Sequence, residues 1–212
     1  ESEIIPDAFI KLQGQLEKWR NRHSPSIFDL TPSASDTVYD QYEVKNALQI
    51  IQQYAKHSDS SHYERKKPLK WRVIKKLEEI DAGDEIRVLS RKDEDALDLI
   101  ALIFNSIAHD SNIPDKVKDS IVRLDLPLAA IAISDKSFFV DNRHSARRLL
   151  HEICKAGCFL NLGESSDRSI YSQIEQLVEK ISIDEPKKLD VLIGLLNEFS
   201  IAMDKQYQRR QI

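Results

Sequence analysis

Apolar side chains recur at intervals of three and four residues along almost the whole chain, the spacing of helices that each bury a single stripe. Phe9, Leu12, Leu16 and Trp19 form the first stripe, with Pro6 near its start. Tyr39, Tyr42, Leu48, Ile51 and Tyr54 form the second, for which Asp36 or Thr37 offers a cap. Pro68 suits the opening turn of a third helix, carrying Leu69, Val73, Leu77 and Ile80. The strongest stripe, Leu97, Ile100, Ala101, Phe104 and Ala108, follows cap chemistry from Ser90 and Asp93. Asn112 and Pro114 punctuate, and Val117, Ile121 and Leu124 mark the next helix. Pro127 predicts a break near Leu126 ahead of a short buried segment, Leu128 to Ile133. Period alone does not type that segment, but the scarcity of other strand candidates favours helix. Asp141 or Asn142 can cap a helix with Ala146, Leu149, Leu150 and Ile153 inside, ended by Gly157 or Gly163. Asp167 opens another, with Ile170, Ile174, Leu177, Val178 and Ile181. Pro186 opens the last, with Leu189, Leu192, Ile193, Leu196, Phe199 and Met203 inside, and the short Ser182 to Glu185 connection makes these two an αα-hairpin.

The expected fold is therefore all-α: an irregular bundle of about eight or nine helices in two lobes, residues 1–85 and 86–212. The charged stretch from Asp81 to Asp95 marks the division. Only 5 Gly and 7 Pro in 212 residues argue against a turn-rich sandwich or barrel. Residues 56–67, with two His, three Ser and no aliphatic side chain, read as an exposed loop. No repeat of fixed length is present. The longest apolar run, Leu126 to Ile133, is far below the roughly 20 residues that a membrane span requires. Two cysteines make neither a secreted disulfide framework nor a complete zinc site, so a reducing cytoplasm is the expected setting. The chain begins at Glu1 without an initiator Met, and a fragment of a longer protein is expected.

A net charge of −4 disfavours a general polyanion binder but leaves room for a local basic patch. The patch is Arg65, Lys66, Lys67, Lys70, Arg72, Lys75 and Lys76, with Tyr63 and Trp71 nearby and no acid between. Cations with interleaved aromatics suit phosphate neutralisation and base stacking, or anchoring of a protein partner. The alternative is a solvated helix face balanced by Glu78, Glu79 and Asp81. A second cluster comprises Asp135, Phe138, Phe139, Asp141, Arg143, His144, Arg147 and Arg148. Three Arg near a helix start could bind an anion, but no glycine-rich loop accompanies them. A structural lock, in which an Arg pairs with Asp135 or Asp141, is favoured. His151, Cys154 and Cys158 fall at spacings of 3 and 4, yet their apolar neighbours Leu149, Leu150, Ile153 and Phe159 make them core residues rather than metal ligands. His23, His57 and His62 sit in polar stretches, and His109 ends a helix where the dipole favours an imidazolium. The pairs Glu78 with Glu79 and Asp93 with Asp95 read as cap and surface charge. The G-x-S-x-G, H-E-x-x-H, P-loop and dinucleotide motifs are absent, and no cofactor or metal is expected.

One stretch resembles a known family. Leu126, Pro127 and Leu128, then D-K-S-F-F from Asp135 to Phe139, then His144, Ala146, Arg147, Arg148, Leu149 and Leu150 are similar to the signature of a bacterial family of large uncharacterised proteins. That family is known only as a domain of unknown function, and some members carry the label thymidine phosphorylase. Its pattern is L-Q-I-P-L, an acid before paired Phe, and H-P-A-R-R-L-L opening a helix. Here Asp125 stands for the Gln and Ser145 for the Pro. The similarity extends more weakly from about Ile86 to Phe199. It implies a bacterial cytoplasmic fragment of a longer chain, some of whose relatives carry a C-terminal PilZ-type domain that senses cyclic di-GMP.

The expected function is a non-catalytic, protein-interaction and regulatory module, acting through helix faces and the 56–67 loop toward a protein partner or a second copy of itself. The alternative is nucleic-acid or nucleotide binding through residues 65–76. A hydrolase or transferase with an unfamiliar site ranks last.

Overall fold

The computed structural model describes residues 6–23, 37–57, 67–81, 86–161, 168–183 and 189–210. These hold nine α-helices: α1 (Asp7–His23), α2 (Gln41–His57), α3 (Leu69–Ile80), α4 (Arg91–Ala108), α5 (Asp115–Ile121), α6 (Asp125–Ser134), α7 (Ser145–Asn161), α8 (Arg168–Ile183) and α9 (Leu189–Arg210). Single 3₁₀ turns cover Val122–Leu124 and Lys136–Phe139. Two short strands, β1 (Thr37–Val38) and β2 (Arg87–Val88), pair in parallel with Thr37 opposite Arg87. The all-α expectation holds, and the 56–67 loop and the residues Arg65, Lys66, Asp167 and Gly163 lie largely or wholly outside the described residues.

The centre of the molecule is α6. Its ten residues, DLPLAAIAIS, carry apolar side chains on every side, and Leu126, Leu128, Ala129, Ala130, Ala132 and Ile133 are all buried. A helix without a polar face must be enclosed. Accordingly α2 and α4 pack against it, with the flanking 3₁₀ turns at its two ends. The short segment at 128–133 is thus helical. Pro127 is its third residue, where the backbone donor would have no intrahelical acceptor, so the ring is accommodated and the chain bends earlier, at Val122–Leu124. Helices α7, α8 and α9 complete the bundle, and one buried cluster includes residues from Tyr39 to Met203. Strand β1 pairs with β2, and α3 packs against α4.

Several local expectations shift by one to four residues, each for a physical reason. Helix α2 is capped by Asp40, whose Oδ1 accepts from Glu43 N at 2.8 Å while Glu43 Oε2 accepts from Asp40 N at 2.8 Å. This reciprocal pair satisfies two donors at once, whereas Thr37 is held in β1. Tyr39 is buried beneath the Arg87 guanidinium, 4.4 Å from its ring centroid, while Tyr42 and Tyr54 stay 75% and 66% exposed. On α1 the stripe ends in a charge: Trp19 is exposed and Arg20 is buried in its place. Ile193 likewise faces outward from α9. Helix α7 is capped neither by Asp141 nor by Asn142 but by His144, whose Nδ1 accepts from Ala146 N at 3.2 Å.

Gly157 does not end α7, which runs on to Asn161. It lies close against Val117 of α5 and Ile113 just before it, since a Cβ there would stand 2.9 Å from Val117 Cγ1 and 3.3 Å from Ile113 Cγ2. Val117 is fully buried and β-branched, so it cannot swing aside. Overpacking costs about 1–3 kcal/mol and the better helix propensity of alanine returns about 1 kcal/mol. Gly157→Ala should therefore lower stability by about 1 kcal/mol net, a melting shift of about 3 °C by differential scanning calorimetry.

Candidate functional site

The densest group of ionisable side chains lies on the first two turns of α4. Ser90 caps the helix, its Oγ accepting from Asp93 N at 3.2 Å, and acids at a helix start are favoured by the dipole. The sequence R-K-D-E-D-A-L-D from Arg91 distributes four carboxylates around that end, and each meets a cation from another element. Asp93 receives the Lys136 ammonium at 3.0 Å, with both side chains at most 2% exposed. Lys136 also donates to the Ile133 carbonyl at 2.6 Å. Asp95 receives Arg20 Nη1 at 2.5 Å and Gln13 Nε2 at 2.6 Å. Asp98 receives Arg20 through Nη2 and through Nε, the latter at 3.0 Å. Lys70 reaches Glu94 at 2.9 Å and Asp98 at 3.2 Å, and Arg91 meets Glu94 at 3.1 Å. Four acids and four cations thus tie α1, α3 and the Lys136–Phe139 turn to one helix end. Asp93 with Asp95 is not the surface charge that its sequence context predicts, since both are 1% exposed. Nor does periodicity find Arg20 and Lys136. The available signal is a lone cation placed on an otherwise apolar stripe.

The basic stretch is divided by the same network. Lys70 belongs to the α4 junction, and Arg72, 6% exposed, pairs with Asp125 at 2.8 Å, linking α3 to α6. Lys67 and Lys75 stand over the Trp71 ring at 5.6 and 5.2 Å, Lys76 stands over Tyr54 at 5.1 Å, and Lys76 also pairs with Glu79. Rings and cations therefore meet on the outer side of α3 and at its junction with α2.

At the corner before α7 the three Arg do not converge. Arg143 is 92% exposed and lies 3.6 Å from Asp141, Arg148 is exposed, and Arg147 donates from Nη1 to the Phe139 carbonyl at 2.9 Å. Arg147 thus fastens α7 to the preceding turn through a backbone oxygen, without the carboxylate partner that the sequence suggests. Phe138 is buried edge-on to both Phe139 and His144, at 5.1 and 5.5 Å between ring centroids. His144 Nε2 points to Asp135 Oδ2 at 3.5 Å. Burial outweighs the nearby Asp135 and Asp141 carboxylates and holds its pKa below the ordinary value. The neutral imidazole with its proton on Nε2 is also the form whose Nδ1 can accept from Ala146 N.

Cys154 and Cys158 are half-buried on α7, whereas His151 on the same helix is exposed. Burial, reinforced by Cys158 and Asp110, pushes the Cys154 thiol up to about 12, and Cys158 is raised by the same effect. Thiols so disfavoured as thiolates are poor nucleophiles and poor ligands. Among the described residues no group of three or more His, Cys, Asp or Glu is arranged to hold a metal ion. No described helix is long and apolar enough to cross a membrane.

A family model, described as "Protein of unknown function (DUF1631) 2nd domain", matches residues 38–187. The match begins well before Ile86, at the second residue of β1, and stops short of Phe199, so it takes in α2 and α3 and leaves α1 before it and α9 beyond it. No curated protein and no solved structure matches the chain.

Two outcomes follow from this geometry. Lys136→Ala strands the Asp93 carboxylate in the interior and should cost about 3–5 kcal/mol in urea unfolding, whereas Lys136→Met combined with Asp93→Asn should recover most of that loss. Because the folded pKa of His144 is lowered, its contribution is fully present above the unfolded value of about 6.5 and is lost as pH falls through the lowered folded value. Thermal melts should show stability declining below about pH 6.5 in the native chain, and a smaller decline in His144→Asn, which keeps a capping acceptor.

Proposed function

The chain belongs to the DUF1631 family, and on that premise we propose that it is a non-catalytic helical interaction module of a bacterial, cytoplasmic regulatory protein. The observation that supports this reading is how the charges are used. The α4 carboxylates, the only dense acidic cluster among the described residues with buried members, are each engaged by a cation from another element, and so serve to dock helices rather than to move protons. What remains outside is suited to recognition. Tyr54 under Lys76, and Trp71 between Lys67 and Lys75, combine large flat surfaces with positive charge at the α2–α3 junction, and Tyr42 is 75% exposed. Aromatic anchors ringed by cations fit a protein partner that presents acidic and apolar groups. Cyclic di-GMP sensed by an adjoining domain is the regulatory input this reading favours.

The same rings and cations favour a second reading, nucleic-acid binding, because bases stack on aromatics and phosphates neutralise lysine. The two separate in one experiment. Tyr54→Ala with Lys75→Glu alters only surface groups and should leave stability within about 0.5 kcal/mol. It should abolish capture of a protein partner from nuclease-treated lysate. Capture that disappears with nuclease alone transfers the surface to nucleic acid, and capture indifferent to both substitutions overturns the α2–α3 surface as the docking face.

A further inference from the structure

Helix α1 is attached to the molecule differently from every other described helix. Its buried face is a single stripe: Phe9, Leu16 and Arg20, with Leu12 and Gln13 half-buried between them. Phe9 and Leu16 do not join the main buried cluster. They form a separate small one with Leu99, packed by Leu12, Leu102, Phe139 and Val140. Phe9 stacks on Phe139 at 5.6 Å between centroids. Beyond the apolar contacts, the helix is held by charge, with the Arg20 fork on Asp95 and Asp98 and the Gln13 amide on Asp95. The family match begins at residue 38, so the acceptor groove lies within the matched region and its occupant lies outside it.

Seen from the groove, the surface under α1 is an apolar floor of Leu99, Leu102, Phe139 and Val140 with two carboxylates at one end. That is a receptor for an amphipathic helix with Phe, Leu and Leu at intervals of three and four and an Arg one turn further on. A second copy of this chain carries that helix. Undocking α1 exposes the small cluster and touches the main one only at its edge, at Phe139, so the opening is local rather than global. The thirteen residues between α1 and β1 reach up to about 45 Å when extended. We propose that α1 is an exchangeable arm: the groove of α4 and the Lys136–Phe139 turn accepts α1 from a second copy of the chain, so that two chains associate by reciprocal exchange. This does not rest on the α2–α3 surface, whose residues take no part in it.

The test uses two full-length variants. Arg20→Asp spoils the arm by setting an acid against Asp95 and Asp98, and leaves the groove intact. Asp95→Asn with Asp98→Asn removes the groove's charge, and leaves the arm intact. Sedimentation velocity should show a concentration-dependent dimer for the native chain, monomers for each variant alone, and a one-to-one complex when the two variants are mixed. Native chains that stay monomeric at every concentration, or variants that stay apart on mixing, overturn the proposal. An independent readout needs neither variant to fold. A fluorescein-labelled peptide of residues 6–23 should be captured by the native chain in an anisotropy titration, and the same peptide with Arg20→Ala should bind on the order of a hundredfold more weakly, as expected when buried carboxylates lose their partner. Equal binding of the two peptides, or none of either, also overturns it.

Discussion

Charge that has left water must find its opposite, and the start of α4 organises the molecule by that demand. Asp93 and Glu94 occupy the first turn of the helix, where the dipole welcomes negative charge, and Asp95 and Asp98 follow in the second. Each burial is tolerable only because a cation arrives from α1, from α3, from the helix itself or from the turn after α6. The hydrophobic cluster supplies most of the driving force for collapse but is indifferent to small changes of angle. The ionic contacts are more demanding, since a displaced Arg20 or Lys136 would leave buried Asp95 or Asp93 without a partner cation at that position. Apolar packing therefore makes the bundle compact, and the α4 junction selects how its parts are set.

The division between what the residues foretell and what they conceal follows from the same physics. Stripes such as Leu97, Ile100 and Phe104, or Ile170, Ile174, Leu177 and Val178, announce their helices because burial of aliphatic side chains depends only on spacing. Phe138, Phe139, His144 and Arg147, which lie close together in the sequence, also meet at one corner of the fold. Cap positions are less legible. Asp36, Thr37, Asp141 and Asn142 all have suitable side chains, and the choice of Asp40 and His144 is made by packing of Tyr39 and Phe138 beside them. Least legible are Arg20, Lys70, Arg72 and Lys136, which read as solvent-facing charge until the folded chain brings distant acids beside them. The basic stretch of residues 65–76 loses two of its members, Lys70 and Arg72, to this internal use.

Buried charge and outer surface are accordingly kept apart on this molecule. The charged groups that look most chemical in the sequence are engaged inside, and the thiols of α7 are shielded by burial that disfavours their reactive form. The outer helix surfaces carry exposed Tyr42, Tyr54, Ile10 and Ile201, together with the cations that stand over Tyr54 and Trp71. Such an arrangement tolerates change at its outer faces without disturbing the junction beneath them.

The enclosure of α6 also sets a timetable for biosynthesis. The helix lies between α2 and α4, both of which precede it in the chain. During translation those two helices are complete while their common filling is still to be made, and their oily sides remain uncovered until the ribosome has delivered residue 134 and the exit tunnel has released it. A pause in elongation just before Asp125 would prolong that exposure.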